Sequence, residues 1–436
     1  MTQDVQVRTR WTPVVALAMA MLVVTTEMTV AAVVLPSLGG ELDIGPAATA
    51  WVLLAYTLPM AAIAIPAGRW VDRVDVRSAF LLALAGVAVA SALTAVAPSF
   101  WVLVVGRVLQ GAAGALVLAG YMPIVVAAVA PARHGRAIGY VITIMTIGGL
   151  AGAPLGGLVA GAFGWRSVFL MKLPVLVAAL WLGWRSLRPD GRGLPLPDRA
   201  LVLEAVLLGG AITSVLLAFE DMAWLLVVAS VFAVWWARLP GSRPVLTLVR
   251  RRLFGLPLLT LSLVSTLGGV IFFLVPYHVT DVLGGSPEDV GVALLVFVAG
   301  VAGLAMVSGS LSDRYGPWLV ALGGSVLSAL ALGLLVLPVT SLLDLCWRLA
   351  LLGVGQGLFN TAMNTLVMSG APEGMAGAAG GLSATARMVG STVGPAVAAL
   401  AAGPAGSGDA GFRAGVAVAT VVAVVAIAVL ASAKQR

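Results

Sequence analysis

Continuous apolar runs of about twenty residues recur along the whole chain, and each is long enough to cross a hydrocarbon core about 30 Å thick as a helix. Backbone amides in lipid must be satisfied inside the spanning structure, so only helices and closed barrels are admissible. Barrel strands would read as short alternating segments, which these runs do not. An all-α membrane protein is therefore expected. The runs lie at about 13–36, 47–66, 78–97, 100–122, 137–160 and 167–186, then 200–219 and 222–239, then 253–276, 289–308, 317–338, 344–368, 377–402 and 412–432. This map predicts fourteen transmembrane helices. An N-terminal six-helix bundle covers 13–186, a central linker over 187–252 carries a hairpin at about 200–239, and a C-terminal six-helix bundle covers 253–432. The hairpin tip falls at Glu220 and Asp221. Only 10% of the 436 residues are charged and mean hydropathy is +1.08. A soluble domain carries about 25% charge, and the connections leave no room for one.

The net charge of +7 marks topology rather than a polyanionic partner. On this map nineteen Lys and Arg residues fall on one side and two, Arg166 and Arg413, on the other. Cation-rich short loops face the cytoplasm, which places both termini there and gives no support to nucleic-acid binding. The single cysteine, Cys346, forms no intramolecular disulfide, and no Cys/His cluster has metal-ligand spacing. His134 and His278 read as loop residues. No phosphate-binding G-x-x-x-x-G-K-[ST] loop or catalytic triad appears, so neither enzyme activity nor direct use of ATP is expected. The first run is too long for a cleaved signal peptide and reads as the first span. Lys172 and Lys434 are the only lysines among 25 basic residues. That arginine bias suggests a high-GC bacterium, and hence a bacterial inner membrane.

Two loops repeat one pattern. Gly68-Arg69-Trp70-Val71-Asp72-Arg73 follows the second span and Gly309-Ser310-Leu311-Ser312-Asp313-Arg314 the tenth, both G-x-x-x-D-R. Each copy follows the second span of its six-helix half, which points to an internal repeat. The glycine lets two helices approach, and an Asp-Arg pair at helix ends suits a conformational latch. Its candidates are Gly68, Asp72, Arg73, Arg77, Gly309, Asp313 and Arg314. On these residues the chain resembles the major facilitator superfamily, whose signature is close to G-x-L-A-D-R-x-G-R-K. The first copy departs where Asp75 and Val76 stand in place of Gly and Arg; the second keeps Gly316, followed by Pro317.

Other segments are similar to the fourteen-span drug/proton antiporters of that superfamily. The first span reads Thr26-Glu27-Met28-Thr29-Val30-Ala31-Ala32-Val33-Val34-Leu35-Pro36, with Glu for the usual Asp. The fourth contains Arg107-Val108-Leu109-Gln110-Gly111, and the fifth Gly148, Gly152, Pro154, Gly156 and Gly157. Gly164-Trp165-Arg166-Ser167-Val168-Phe169-Leu170 leads into the sixth. Pro276-Tyr277, Ser286-Pro287-Glu288-Asp289-Val290-Gly291 and Arg387-Met388-Val389-Gly390 with Gly394 extend the likeness through the second half. The resemblance implies the major facilitator fold, two six-helix bundles with a central hairpin, and alternating access driven by the proton motive force without a bound cofactor.

Glu27 sits roughly fourteen residues into the first span and is the only acid deep in any run. A carboxylate at that depth is costly unless paired, solvated or protonated. It should face the central cavity and carry the coupled proton; a structural acid in an interhelical hydrogen bond is the other reading. Arg107 is its natural partner, or else satisfies carbonyls of the first span. Substrate contacts are sought at Gln110, at Tyr56, Tyr121, Tyr140 and Tyr277, and at Gln356, Asn360 and Asn364, spaced i, i+4, i+8 on one helix face. For the amide stripe, interhelical hydrogen bonding competes with substrate contact. For Arg387, internal pairing competes with binding of an anionic group. Gly148, Gly152 and Gly156 have helix-contact spacing, with Pro154 and Gly157 beside them, and suit the seam between two rocking halves. Lys172 reads as snorkelling to headgroups, and Glu204 and Asp344 as interfacial. Together these predict a monomeric exporter that exchanges lipophilic neutral or monocationic small molecules, such as drugs or antibiotics, for protons across the lipid bilayer. The alternatives are a narrow transporter of one metabolite, lipid or natural product, and a non-transporting receptor on the same scaffold.

Overall fold

The computed structural model describes residues 9–130, 133–218, 222, 224–370, 376–402 and 408–433. Glu220 and Asp221 at the hairpin tip, with Arg8, Lys434 and Arg436, lie outside the described residues. Regular structure is helical, with no strand among the described residues. The N-terminal helices are α1 (Trp11–Val33), α2 (Leu35–Glu41), α3 (Pro46–Val71), α4 (Val76–Ala95), α5 (Phe100–Ala119), α6 (Tyr121–Ala128), α7 (His134–Phe163), α8 (Trp165–Leu170) and α9 (Leu173–Ser186). The linker holds α10 (Arg199–Ala218), α11 (Leu225–Arg238) and α12 (Arg243–Val249). The C-terminal helices are α13 (Arg252–Tyr277), α14 (Pro287–Gly303), α15 (Ala305–Tyr315), α16 (Pro317–Val336), α17 (Leu342–Ser369), α18 (Ala376–Ala402) and α19 (Asp409–Ser432).

Twelve helical segments among the described residues are long and apolar enough to cross a membrane, not the fourteen expected. Two of the expected spans account for the difference. α11 has 14 residues, about 21 Å of helix, which falls short of a core about 30 Å thick. α18 has 27 residues but carries Ser383, Thr385, Arg387, Ser391 and Thr392, which lower its apolarity while it packs between α13 and α3.

Prolines set the breaks inside single crossings. α2 begins on Leu35-Pro36 and α9 on Leu173-Pro174, each with proline in the first turn, where its missing N–H is not needed. The second break leaves Lys172 at a bend about a third of the way along the segment Trp165–Ser186. The short connection after α3 is shaped by Asp75, the residue that departs from the family signature. Its backbone is extended and its carboxylate accepts from the Ser78 amide at 2.8 Å, capping α4, and from the Asp190 amide at 2.7 Å. Burial pulls that carboxyl up, but the hydrogen bonds outweigh it and hold it below the ordinary carboxylate value. The second copy turns differently: Gly316 takes φ +84° between α15 and α16, a conformation that favours glycine.

Within the N-terminal set α1 lies against α7 and α9, and α5 against α3 and α4; within the C-terminal set α13 lies against α18 and α19, and α17 against α14 and α16. The broadest contacts between the sets join α7 to α14 and α3 to α18. The glycines of α7 divide between two of these interfaces. Gly148, Gly152 and Gly156 face Leu22, Thr26 and Val30 of α1, inside the N-terminal set. Gly157 faces Pro287, while Gly291 of α14 approaches so closely that a Cβ there would lie 2.8 Å from the Ala153 carbonyl and 3.1 Å from Pro154 Cα. The every-fourth stripe therefore does not form the seam expected of it. The adjacent face, about 100° around the helix, does. At the same end of the molecule the hydroxyls of Thr49 on α3 and Tyr277 on α13 share a hydrogen bond across the sets. His278, expected in a loop, is buried at the end of α13 with its ring stacked 4.0 Å from that of Phe412; the apolar run simply continues past it.

Candidate functional site

The deepest polar cluster is built on four helices, α1, α3, α4 and α5. Glu27 on α1 is 2% exposed and Arg107 on α5 is fully buried. Arg107 Nη1 donates to Glu27 Oε2 at 2.7 Å and to Gln110 Oε1 at 2.6 Å, and its Nε donates to the Val52 carbonyl of α3 at 2.9 Å. Gln110 in turn donates to Ser91 Oγ at 2.8 Å. Gly111 lets α5 touch the backbone of α3 at Tyr56, which sets the Tyr56 ring 4.6 Å from the guanidinium, a cation–π arrangement. The Tyr56 hydroxyl donates to the Val24 carbonyl at 3.2 Å. R-x-x-Q-G thus reads as one device: a cation, the amide that holds it, and the glycine that admits its aromatic neighbour.

Lys172 completes the cluster. Its Nζ donates to Glu27 Oε1, and the side chain is 7% exposed, 145 residues from its partner in sequence. The headgroup-snorkelling expectation is wrong. The crossing begins at Trp165, so the bend at Lys172 lies about 10 Å inside it, and the side chain turns inward to the carboxylate. The available signal was the Leu173-Pro174 break, which marks an interrupted helix at membrane depth. One carboxylate is thereby held by two cations. Removing the carboxylate from such a buried set costs about 3–5 kcal/mol, because two cations are then left uncompensated.

A second centre lines a cavity of about 390 Å³ bounded mainly by α13, α17 and α18, with Met28 of α1 and Leu118 of α5 opposite. Arg387 donates to Asn360 Oδ1 at 3.3 Å and to Asn364 Oδ1 at 2.5 Å. No carboxylate pairs with it among the described residues. Gln356 is 6% exposed, borders the same cavity, and its Nε2 has no hydrogen-bond partner among the described residues. The stripe Gln356, Asn360 and Asn364 therefore faces Arg387 and the cavity, combining interhelical bonding with an open polar wall. Met28 follows Glu27 directly, so adjacent residues of α1 face the two centres. Another cavity, of about 520 Å³ between α3, α4, α5 and α10, is lined almost wholly by apolar side chains such as Ile63, Leu82 and Val206 and offers little to orient a polar group.

The other candidates lie elsewhere. Tyr140 is 46% exposed at the start of α7, against Arg136 and Trp11. Tyr121 is half-buried with its hydroxyl inside and unpartnered among the described residues. Tyr277 bonds Thr49 across the two sets instead of lining the cavity. The first G-x-x-x-D-R copy is tied to the linker: Arg69 pairs with Glu204 at 2.6 Å and Arg73 with Asp198 at 2.6 Å, Arg192 donates to the Asp72 carbonyl at 2.9 Å, and Arg77 lies 5.9 Å from the Trp184 ring. Glu204, expected at the interface, is 2% exposed because α10 leans on α3. In the second copy Asp313 and Arg314 are exposed, and Arg314 rests over Tyr315. Neither Gly68 nor Gly309 has a described neighbour within 4 Å of a Cβ position, so the close helix approach expected at these glycines is absent in this conformation.

Residues 17–395 match the family model of the Major Facilitator Superfamily, and the chain belongs to that family. It is a multi-pass membrane transporter rather than an enzyme. It is 32% identical over 406 residues to the tetracenomycin C resistance and export protein of Streptomyces glaucescens, covering 89% of this chain and 75% of that one. With the multidrug efflux pump LfrA of Mycolicibacterium smegmatis it shares 30% identity over 413 residues, 88% of this chain and 79% of LfrA. The fold superposes with a TM-score of 0.74 on a bacterial homologue of the human lysosomal transporter Spinster, solved inward-facing and unoccupied, over 97% of this chain and 96% of that one at 19% identity.

Proposed function

We propose that this transporter is a proton-coupled exporter of lipophilic small molecules, a monomer in a bacterial cytoplasmic membrane with both termini on the cytoplasmic side. The observation that carries the reading is the buried Glu27–Arg107–Lys172 set, one residue along α1 from the cavity-lining Met28. A carboxylate buried between two cations is a group whose charge balance changes with one proton, and α1 links that change to the cavity. Export is supported by relatives whose names describe drug or antibiotic resistance. We assign α18 as a further crossing, with α10 and α11 entering as the central hairpin; the two six-helix bundles then run over 13–186 and 253–432. Neutral compounds suit the cavity better than the monocations expected from sequence, because the charged side chain on its wall is Arg387.

Coupling by alternating access means that proton and cargo stabilise opposite orientations, so each shifts the affinity for the other. The test uses proteoliposomes with an imposed pH gradient and a panel of drugs, dyes and metabolites. Cargo-dependent proton movement is expected, and Glu27→Gln should abolish it. Transport of a single metabolite from the panel would favour the narrow transporter, and no movement of any compound the receptor.

A further inference from the structure

The cavity wall carries an unbalanced charge. Arg387 uses two of its five N–H groups on neutral amide oxygens of Asn360 and Asn364, and no carboxylate answers it among the described residues. A guanidinium inside a helix bundle is costly without a counter-charge, and amide dipoles alone do not supply one. Gln356 adds an unpartnered Nε2 on a side chain that is 6% exposed, one helical turn from Asn360 on the same face. The same cavity is lined by Met28, Leu118 and Phe272, which carry no charge. The lining thus offers several hydrogen-bond donors together with apolar surface.

We propose that the cavity binds the acidic oxygen of a lipophilic compound, a carboxylate or an ionised phenol, with the anion on Arg387 and Gln356 and the apolar body against Met28, Leu118 and Phe272. This deepens the exporter reading and rests on it only for the direction of movement. The missing counter-charge of Arg387 is then the cargo. One proton entering for each monoanion leaving moves two charges per cycle, so an interior-negative potential accelerates export of the acid more than that of a neutral compound.

The test is equilibrium binding to the purified full-length transporter, with 2-naphthoate, 2-naphthamide and 2-naphthylmethylammonium as probes of matched size. The acid should bind about tenfold or more tighter than the amide, the scale of a hydrogen bond to a charged group, with the ammonium weakest. Arg387→Gln should erase that preference. Gln356→Leu, which removes only the unpaired donor, should weaken the acid severalfold while leaving the thermal melt near wild type. Equal binding of acid and amide, no binding of the acid, or a preference that survives Arg387→Gln overturns the proposal. Binding needs no proton gradient, so preference for the acid without proton movement in proteoliposomes defeats the exporter reading alone. Proton exchange without the preference defeats only the acidic subsite.

Discussion

The two polar centres are opposites in charge accounting. In the N-terminal half one carboxylate, Glu27, is held by two cations, Arg107 and Lys172, and sealed from the cavity. In the C-terminal half one cation, Arg387, meets two amides and no carboxylate among the described residues, and it borders the cavity. On the proposed function, the closed set is the one that takes up the proton. An incomplete set on a cavity wall answers to a molecule that completes it. The contrast extends to the repeated loop: the first copy is bonded to the hairpin helix through Arg69 and Glu204, whereas Asp313 and Arg314 of the second face outward.

The strongest way to break this comparison is Glu27→Gln, which leaves two buried cations facing each other. Proton-driven efflux should fall to background, and stability should drop by about 3–5 kcal/mol. The double variant Glu27→Gln/Lys172→Met should recover most of the thermal stability but none of the coupling. Efflux that persists in the single variant would make the N-terminal centre structural and dissolve the contrast.

The glycines sharpen it next. Gly152→Val overpacks α7 against α1 inside one half, and Gly291→Val overpacks α14 against α7 across the two, each by about 1–3 kcal/mol. The first should reduce folded yield. The second should leave each half folded yet stop efflux, because it wedges a seam that must open and close. Equal melts and equal activity would show that the two faces of α7 are not distinct.

A smaller effect is expected for Lys172→Met alone. It leaves Glu27 paired one to one with Arg107, so the thermal melt should fall less than in Glu27→Gln, and proton-driven efflux should weaken without being lost. Unchanged efflux would mean that Lys172 only fills space. The smallest contrast lies in the loops. Glu204→Gln should lower stability by about 1 kcal/mol by loosening the hairpin from α3, while exposed Asp313→Asn should stay within about 0.5 kcal/mol. Denaturation of the two variants side by side measures the difference.

Hydrophobic run length and loop charge settled a great deal without coordinates: an all-helical membrane protein, most of the spans, and Glu27 with Arg107 as a buried pair. These signals are local, since a residue's depth in a run is set by its neighbours in sequence, and burial of any ion at that depth demands a partner. Which partner is chosen is a property of helix packing. Lys172 reaches Glu27 only because Pro174 breaks its crossing where α9 meets α1. The α7 glycines serve two interfaces because helices rotate neighbouring residues onto different faces, and the sequence does not say which helix waits on each. The environment of Arg387 was likewise legible only in space: a sequence shows the charge, but that two amides and no carboxylate meet it among the described residues appears once the helices are in place.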